Sequence, residues 1–245
     1  MVPDPGGFAA LRARILSAES PVVFSGAGLS AASGIPTFRG RTDHALWSRY
    51  DPLQLASLDG FRRDPDLVKA WYAWRRGLVA AARPNAAHRA IAGLDRAILI
   101  TQNVDDLQER AGVAPERVLH LHGSIMHDRC HAGCGWFERA VEEPGPDGDP
   151  RCPECGGVIR PAVVWFGEGL PRETWDRALS ACAAADLLLV VGTSGSVQPA
   201  ATLVEIASEA GAFVLNVNPE PTPIDSFSDA TLNEPATEIL PRLLF

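Results

Sequence analysis

Four cysteines, Cys130, Cys134, Cys152 and Cys155, form a Cys-x3-Cys pair and a Cys-x2-Cys pair separated by 17 residues. Thiolates at that spacing converge on a tetrahedral Zn2+, and four of them leave no open coordination position, so the expected ion is structural, one per chain. His127 and His131 flank the first pair as rival ligands. His122 precedes Gly123-Ser124 and belongs to the residue type that titrates near neutrality, as a general base must. His120 lies two residues earlier on the same expected strand, and a period of two does not choose between them. In Gln102-Asn103-Val104-Asp105, Asn103 suits the cap of a following helix and Asp105 its positive end. Gly26-Ala27-Gly28-Leu29-Ser30-Ala31 has the GxGxxA form of a dinucleotide turn. There Gly26 permits the tight bend, Gly28 lets backbone N–H groups approach a pyrophosphate, and Ala31 lets the helix pack closely. Tyr72 and Arg75 are three apart, so on a helix they share a face, where a phenol and a guanidinium can grip a carboxylate. Spacing alone favours the other reading, with Tyr72 packed beside Trp71 and Trp74 and with Arg75 and Arg76 in solvent.

Such residues need a scaffold. Near-continuous apolar runs at Val22 to Ser25, Ala97 to Thr101, Val118 to His122, Ala162 to Phe166, Leu187 to Gly192 and Phe213 to Val217 read as strands buried on both faces. Helical periodicity at Asn85 to Leu94, Asp105 to Ala111, Glu173 to Ala184 and Ala201 to Ala210, the last closed by Gly211, supplies crossovers. The expected class is α/β, a doubly wound, mainly parallel, Rossmann-like sheet. Two connections, Pro36 to Pro84 and Gly123 to Arg160, are too long for simple crossovers and predict a smaller zinc-binding and helical lobe. The division is 1–36, 84–122 and 161–245 for the sheet domain and 37–83 and 123–160 for the small lobe. The first excursion carries a helix candidate from Pro65 to Ala82. Ligands of open α/β sheets bind at the carboxyl ends of strands, where the excursions leave. The dinucleotide turn departs from a dehydrogenase half-site, because Ser33-Gly34-Ile35-Pro36 cuts its helix short and no acidic residue ends a second strand.

The chain has 245 residues and a net charge of −8, which disfavours general attraction to phosphate backbones or anionic lipid. From His127 to Arg160 seven acidic residues stand against four arginines, so the cysteine region is not a nucleic-acid face. The longest apolar stretch, Leu187 to Val191, is too short to span a bilayer, and the first residues lack the pattern of a secretory signal. A cytoplasmic protein is expected, with reduced cysteines; Cys182 reads as a small buried apolar residue.

The turn extends as Gly26-Ala27-Gly28-Leu29-Ser30-Ala31-Ala32-Ser33-Gly34-Ile35-Pro36-Thr37-Phe38-Arg39-Gly40. There follow in order Thr101-Gln102-Asn103-Val104-Asp105, His122-Gly123-Ser124, the two cysteine pairs, Val164-Trp165-Phe166-Gly167-Glu168, Gly192-Thr193-Ser194 and Leu215-Asn216-Val217-Asn218. In these segments, over essentially its whole length, the chain resembles the sirtuin family of NAD-dependent protein deacylases. The resemblance implies NAD as co-substrate and acylated lysine side chains of proteins as partners. It makes His122 the base for a ribose hydroxyl, lets Asn103 and Asp105 position the nicotinamide and its ribose, and gives Gln102 a contact near His122. Phe38 would shield the reactive carbon and Arg39 steady the phosphates. Gly192, Thr193 and Ser194 would meet phosphate and ribose, Asn216, with Val217 and Asn218 beside it, the adenosine ribose, and the backbone at Ala236 the adenine. Val164, Trp165, Phe166, Gly167 and Glu168 resemble one edge that holds the substrate backbone, with Gly195 to Val197 as the other. Tyr72-x-x-Arg75, with Thr37 before Phe38, is similar to the desuccinylase and demalonylase branch, which reverses the preference drawn from spacing. Implied products are free lysine, nicotinamide and O-acyl-ADP-ribose. A noncatalytic module for ADP-ribose or acyl-lysine, and a mono-ADP-ribosyltransferase, are the alternatives.

Overall fold

Runs of Val, Leu, Ile and Phe without polar alternation have no face to offer water, so they pair inside a sheet that helices cover on both sides. The computed structural model describes residues 5–38, 46–140 and 150–245. The strands among them are β1 (Pro21–Ser25), β2 (Ile98–Thr101), β3 (Val118–His120), β4 (Gly123–Cys130), β5 (Phe137–Arg139), β6 (Ile159–Val163), β7 (Leu187–Val191), β8 (Phe213–Val217) and β9 (Ala230–Leu232). Six form one sheet in the order β3-β2-β1-β7-β8-β9, every neighbouring pair parallel. Chain order reverses between β1 and β7, which opens the crevice at their carboxyl ends.

Period-two alternation gives each face its own core. Val23, Leu99, Leu189 and Leu215 pack against the helices Ala86–Ala92 and Ala236–Leu244, while Phe24, Ile100, Leu188 and Val214 pack against Arg172–Ala183 and Thr202–Glu209. Gly211, at φ 92°, supplies the left-handed residue that ends the helix before β8. The helix expected over Asp105 to Ala111 is a single turn, Leu107–Arg110.

The run Ala162 to Phe166 was expected among the parallel strands and is not there. Its first part belongs to β6, which pairs antiparallel with β4 in a separate sheet ordered β5-β4-β6. Burial on both faces made it look like a parallel strand. The sixth strand of the main sheet is β9, whose three residues, Ala230 and Thr231 half-buried and Leu232 buried, are too few to form an apolar run. Both long excursions contribute to one small core. Phe61, Val68, Trp71 and Tyr72, from the helices Leu58–Arg63 and Pro65–Ala81, meet Ile125, Val163 and Trp165 from the antiparallel sheet and its exit. Each large side chain so buried contributes on the order of 2 kcal/mol. Among the described residues no helix is long and apolar enough to cross a membrane.

Candidate active site

The loops after β1 and β7 touch through glycine. Gly28 N–H donates to Gly192 O at 2.8 Å, and a Cβ on Gly28 would lie 2.9 Å from Gly192 Cα. Gly192 itself has φ +60°, and its Cβ would stand 2.5 Å from Leu29 N. Gly26 backs onto Thr193, whose Cβ would be 2.7 Å from an added methyl. The N–H of Gly28 itself is thus spent on the neighbouring loop, and a pyrophosphate approaching this turn would meet other N–H groups. Half-buried Ala27 lies between the two glycines. Further bonds close the mouth of the sheet. Gln102 N–H donates to Ser25 O, Gln102 Nε2 to Thr193 Oγ1 at 2.8 Å, and Asn218 Nδ2 to Thr193 O at 2.8 Å. Ser194 is exposed beside them, and Ala236 begins the final helix just after Asn233, which donates to Asn218 O.

Beneath the mouth lies a buried polar cluster. Ser30 Oγ donates to Asp105 Oδ2 at 2.9 Å and accepts from Asn103 Nδ2 at 3.1 Å. His88 Nδ1 accepts from Asn85 N–H, so the proton is on Nε2, which faces Ser30 Oγ at 3.5 Å. Burial first, and Arg89 second, depress His88 to about 4, keeping it neutral. Burial also raises Asp105, although Leu107 N–H and the Ser30 hydroxyl counter it. Ser30, expected at the cofactor, has its side chain bonded to Asn103 and Asp105 and organises both. Asn103 does not cap a helix, since its amide is turned to Ser30. His88 escaped the sequence reading, although Asn85-Ala86-Ala87-His88 is a capping box that marks it. Asn216 was assigned to the adenosine ribose, but it is 0% exposed and gives its amide to Asp225 and Thr222. Val217 is likewise inside, which leaves half-buried Asn218 to represent that segment at the mouth.

A cavity of about 200 Å³ opens beside this cluster, lined among others by Phe38, Tyr72, Arg75, Gln102, His122 and Trp165. β3 stops at His120, and His122 sits in the turn that follows. His122 Nδ1 lies 2.9 Å from Gln102 O; a carbonyl only accepts, so Nδ1 holds the proton and Nε2 keeps its lone pair. Burial lowers the His122 pKa and the Gln102 carbonyl raises it less, so the neutral base is favoured. Tyr72 accepts from Trp165 Nε1 at 3.0 Å, and burial pushes its phenol up to about 12. Arg75 is 5% exposed and stacks over Phe38, Trp71 and Tyr72 at 4.6, 4.9 and 5.8 Å. Among the described residues it has no hydrogen bond and no ion pair; burial lowers its pKa against weak support from Tyr72 and Asp105. The solvent-facing placement that spacing favoured is thus overturned for Arg75. Arg76, next to it, ties to Ile125 O and to Asp128 at 2.8 Å.

Thr37 and Phe38 are half-buried at the rim, whereas Arg39 lies outside the described residues. Val164 and Phe166 donate their N–H groups to His122 O and Ala56 O, and Trp165 donates to Glu168 Oε2. Glu168 N–H is likewise spent, on Trp165 O. Glu168 does not reach outward, because its other oxygen binds both Arg129 and Arg160.

Cys130, Cys134, Cys152 and Cys155 place their sulfurs within 4.8 Å of one another. The closest pairs, at 3.4 and 3.5 Å, are far too long for disulfides and near the edge of about 3.8 Å in a tetrahedron with Zn–S bonds of about 2.3 Å. The rival histidines are occupied elsewhere: His127 stacks on Phe137, and His131 packs against Phe61. The cysteines fit one structural zinc.

The pattern of the Sir2 family matches residues 26–199. The chain belongs to the Sir2 family. It is similar to an NAD-dependent protein deacylase of Mycobacterium leprae, 49% identical over 229 residues, 91% of this chain and 95% of that protein. NAD-dependent protein deacylase 1 of Pseudomonas aeruginosa is 49% identical over 240 residues, 94% and 95% of the two chains. A solved Sir2 homolog–NAD complex superposes with a TM-score of 0.88 at 44% identity, covering 96% of this chain and 92% of that one. The Sir2 fold thus accounts for the glycine-bound loops, the strand order and the NAD crevice together.

Proposed function

We propose that this chain is an NAD-dependent protein-lysine deacylase that prefers acidic short acyl groups, succinyl or malonyl, over acetyl. The observation that carries the acyl preference is Arg75: a buried guanidinium, ringed by aromatics and, among the described residues, without an ion pair, lines the same cavity as the base His122. Keeping such a charge is costly unless a ligand completes it. A carboxylate at the end of the acyl chain would take two N–H donors from Arg75 and the free phenolic proton of Tyr72.

NAD, when bound, would supply the ribose carbon that takes the acyl oxygen as its bond to nicotinamide breaks; the neighbouring ribose hydroxyl then captures the acyl carbon, and one water completes the release of free lysine and O-acyl-ADP-ribose. Asn103 and Asp105, organised by Ser30, hold the ribose side of the crevice. His122 takes a ribose hydroxyl proton on Nε2 while Gln102 O keeps its ring oriented. Phe38 closes the cavity against water. Gly26 to Gly28, with Gly192, Thr193, Ser194 and Asn218, form the wall for the dinucleotide. The zinc thiolates hold the small lobe and take no part in chemistry. Acylated lysines in flexible protein segments are the partners, and the reducing cytoplasm suits four free thiolates.

The test is a panel of acetyl-, malonyl- and succinyl-lysine peptides incubated with NAD, following nicotinamide release and peptide mass. Loss of the succinyl or malonyl mass, faster than loss of acetyl, is expected. A peptide that gains ADP-ribose, or NAD that binds and is never consumed, would overturn the reading.

A further inference from the structure

His120 ends β3, and the chemistry above gives it no task. Both of its ring nitrogens are engaged: Nε2 lies 2.7 Å from Glu109 Oε1, and Nδ1 lies 3.1 Å from the main-chain oxygen of Asn103. A carbonyl and an ionised carboxylate only accept, so each nitrogen carries a proton and the ring is an imidazolium. The pair is largely shielded, with side-chain exposures of 19% and 24%. Burial works against both charges, yet each partner outweighs it for the other. His120 is held above 6.5 and Glu109 below 4.5. The titratable groups facing His120 are Glu109 from the turn Leu107–Arg110, Asp105 from the loop after β2, and His127 from β4.

Asn103 is the residue whose amide meets Ser30, and its neighbour Gln102 orients His122 through its carbonyl. We propose that His120 is a positioning residue: as an imidazolium clamped between Glu109 and the Asn103 carbonyl, it fixes the loop presenting Gln102, Asn103 and Asp105. Loss of its proton in alkali releases that loop and slows the reaction. A neutral ring keeps one proton, and the charged carboxylate is the stronger acceptor. The Nδ1 lone pair then opposes Asn103 O, and a hydrogen bond becomes a repulsion. The sign follows from the pair: the clamp is complete between the Glu109 titration below 4.5 and the His120 titration above 6.5, and it is lost as pH rises through the latter.

The catalytic consequence rests on the deacylase reading; the clamp itself does not. Deacylation kcat/KM is measured against pH for the full chain, Glu109→Gln and His120→Gln. In the wild type an alkaline fall of about tenfold per unit is expected beyond the midpoint. Glu109→Gln should move that midpoint down by about one unit or more while its maximum stays within about threefold of wild type. His120→Gln offers two N–H donors from a group that does not titrate, so the alkaline fall should vanish. Equal losses at every pH, with the midpoint unmoved in Glu109→Gln, would overturn the proposal. If no chain deacylates at any pH, the functional reading has failed, and nitrogen NMR of the His120 ring decides the clamp. A doubly protonated ring near pH 7, with Asn103 and Asp105 amides shifting at the same midpoint, upholds it; a neutral ring, or amides that do not respond, refutes it.

Discussion

Replacing Arg75 by Met separates a ligand-binding charge from a structural one. The substitution keeps an unbranched chain of similar length and removes a cation whose surroundings, among the described residues, are three aromatic rings at 4.6 to 5.8 Å and no ion-pair partner. Each ring contact stabilises the guanidinium by about 0.5–2 kcal/mol. Against the sum stands a burial penalty of several kcal/mol for a charge that is 5% exposed. The two nearly cancel, so Met should leave the melting temperature unchanged or raise it by about 2–8 °C. Succinyl substrates should respond otherwise. Truncating one partner of a buried, hydrogen-bonded charge pair costs about 2–5 kcal/mol, or about 30-fold to about 4,000-fold in kcat/KM. An acetyl group meets the bare guanidinium as an uncompensated polar wall, so its kcat/KM should hold or improve. The assay pairs thermal denaturation with kcat/KM for matched acetyl and succinyl peptides in both chains. A melting temperature that drops by more than a few degrees, together with an unchanged succinyl-to-acetyl ratio, would make Arg75 a structural cation and refute the reasoning.

His122→Ala should bind NAD and fold normally yet turn over at least about a hundredfold more slowly; near-normal deacylation by that variant would remove His122 as the base. Because burial lowers the His122 pKa and its neutral form is the active one, the acid limb of wild-type kcat/KM should have its midpoint below 6.5, which an acid-side pH profile checks. Metal analysis should find one zinc per chain, and stripping it should melt the small lobe and abolish activity, as tryptophan fluorescence will report; folded, active, zinc-free protein contradicts this. Gly28→Ala would press its methyl to within 2.8 Å of Gly192 O, forcing the two loops apart at a cost of about 1–3 kcal/mol. Calorimetry should show both a lower melting temperature and weaker NAD binding, and unchanged values for both would show that the contact is not tight.

Local pattern carried the sequence a long way. The five apolar runs of the main sheet, its crossover helices and the cysteine cluster are each written in neighbouring residues, through strand burial, helix period and ligand spacing. What local pattern does not encode is the partner of a buried strand. β6 has the composition of a parallel strand, and only its register with Asp128, Arg129 and Cys130 reveals the second sheet. Asn216 was misplaced for a related reason: a motif match ignores which face a strand residue takes, although alternation aligns it with the interior Val214. Ser30 and His88 share a cluster with Asn103 and Asp105 across long sequence separations, and nothing local signals that they meet.

Glu168 joins parts of the chain that an engineer would be tempted to treat separately. Its carboxylate holds Arg129, one residue before Cys130, and Arg160, one residue after Ile159, while fixing the backbone of Trp165, whose indole props up Tyr72. The zinc ribbon is therefore not an interchangeable cassette. Grafting a relative's ribbon onto this chain without its two arginines would leave Glu168 a buried carboxylate with no counterion, and the disturbance would travel one indole further, to the acyl cavity. Damage to the ribbon should accordingly appear first as altered choice of acyl group, with the dinucleotide wall, built on the other sheet, failing later.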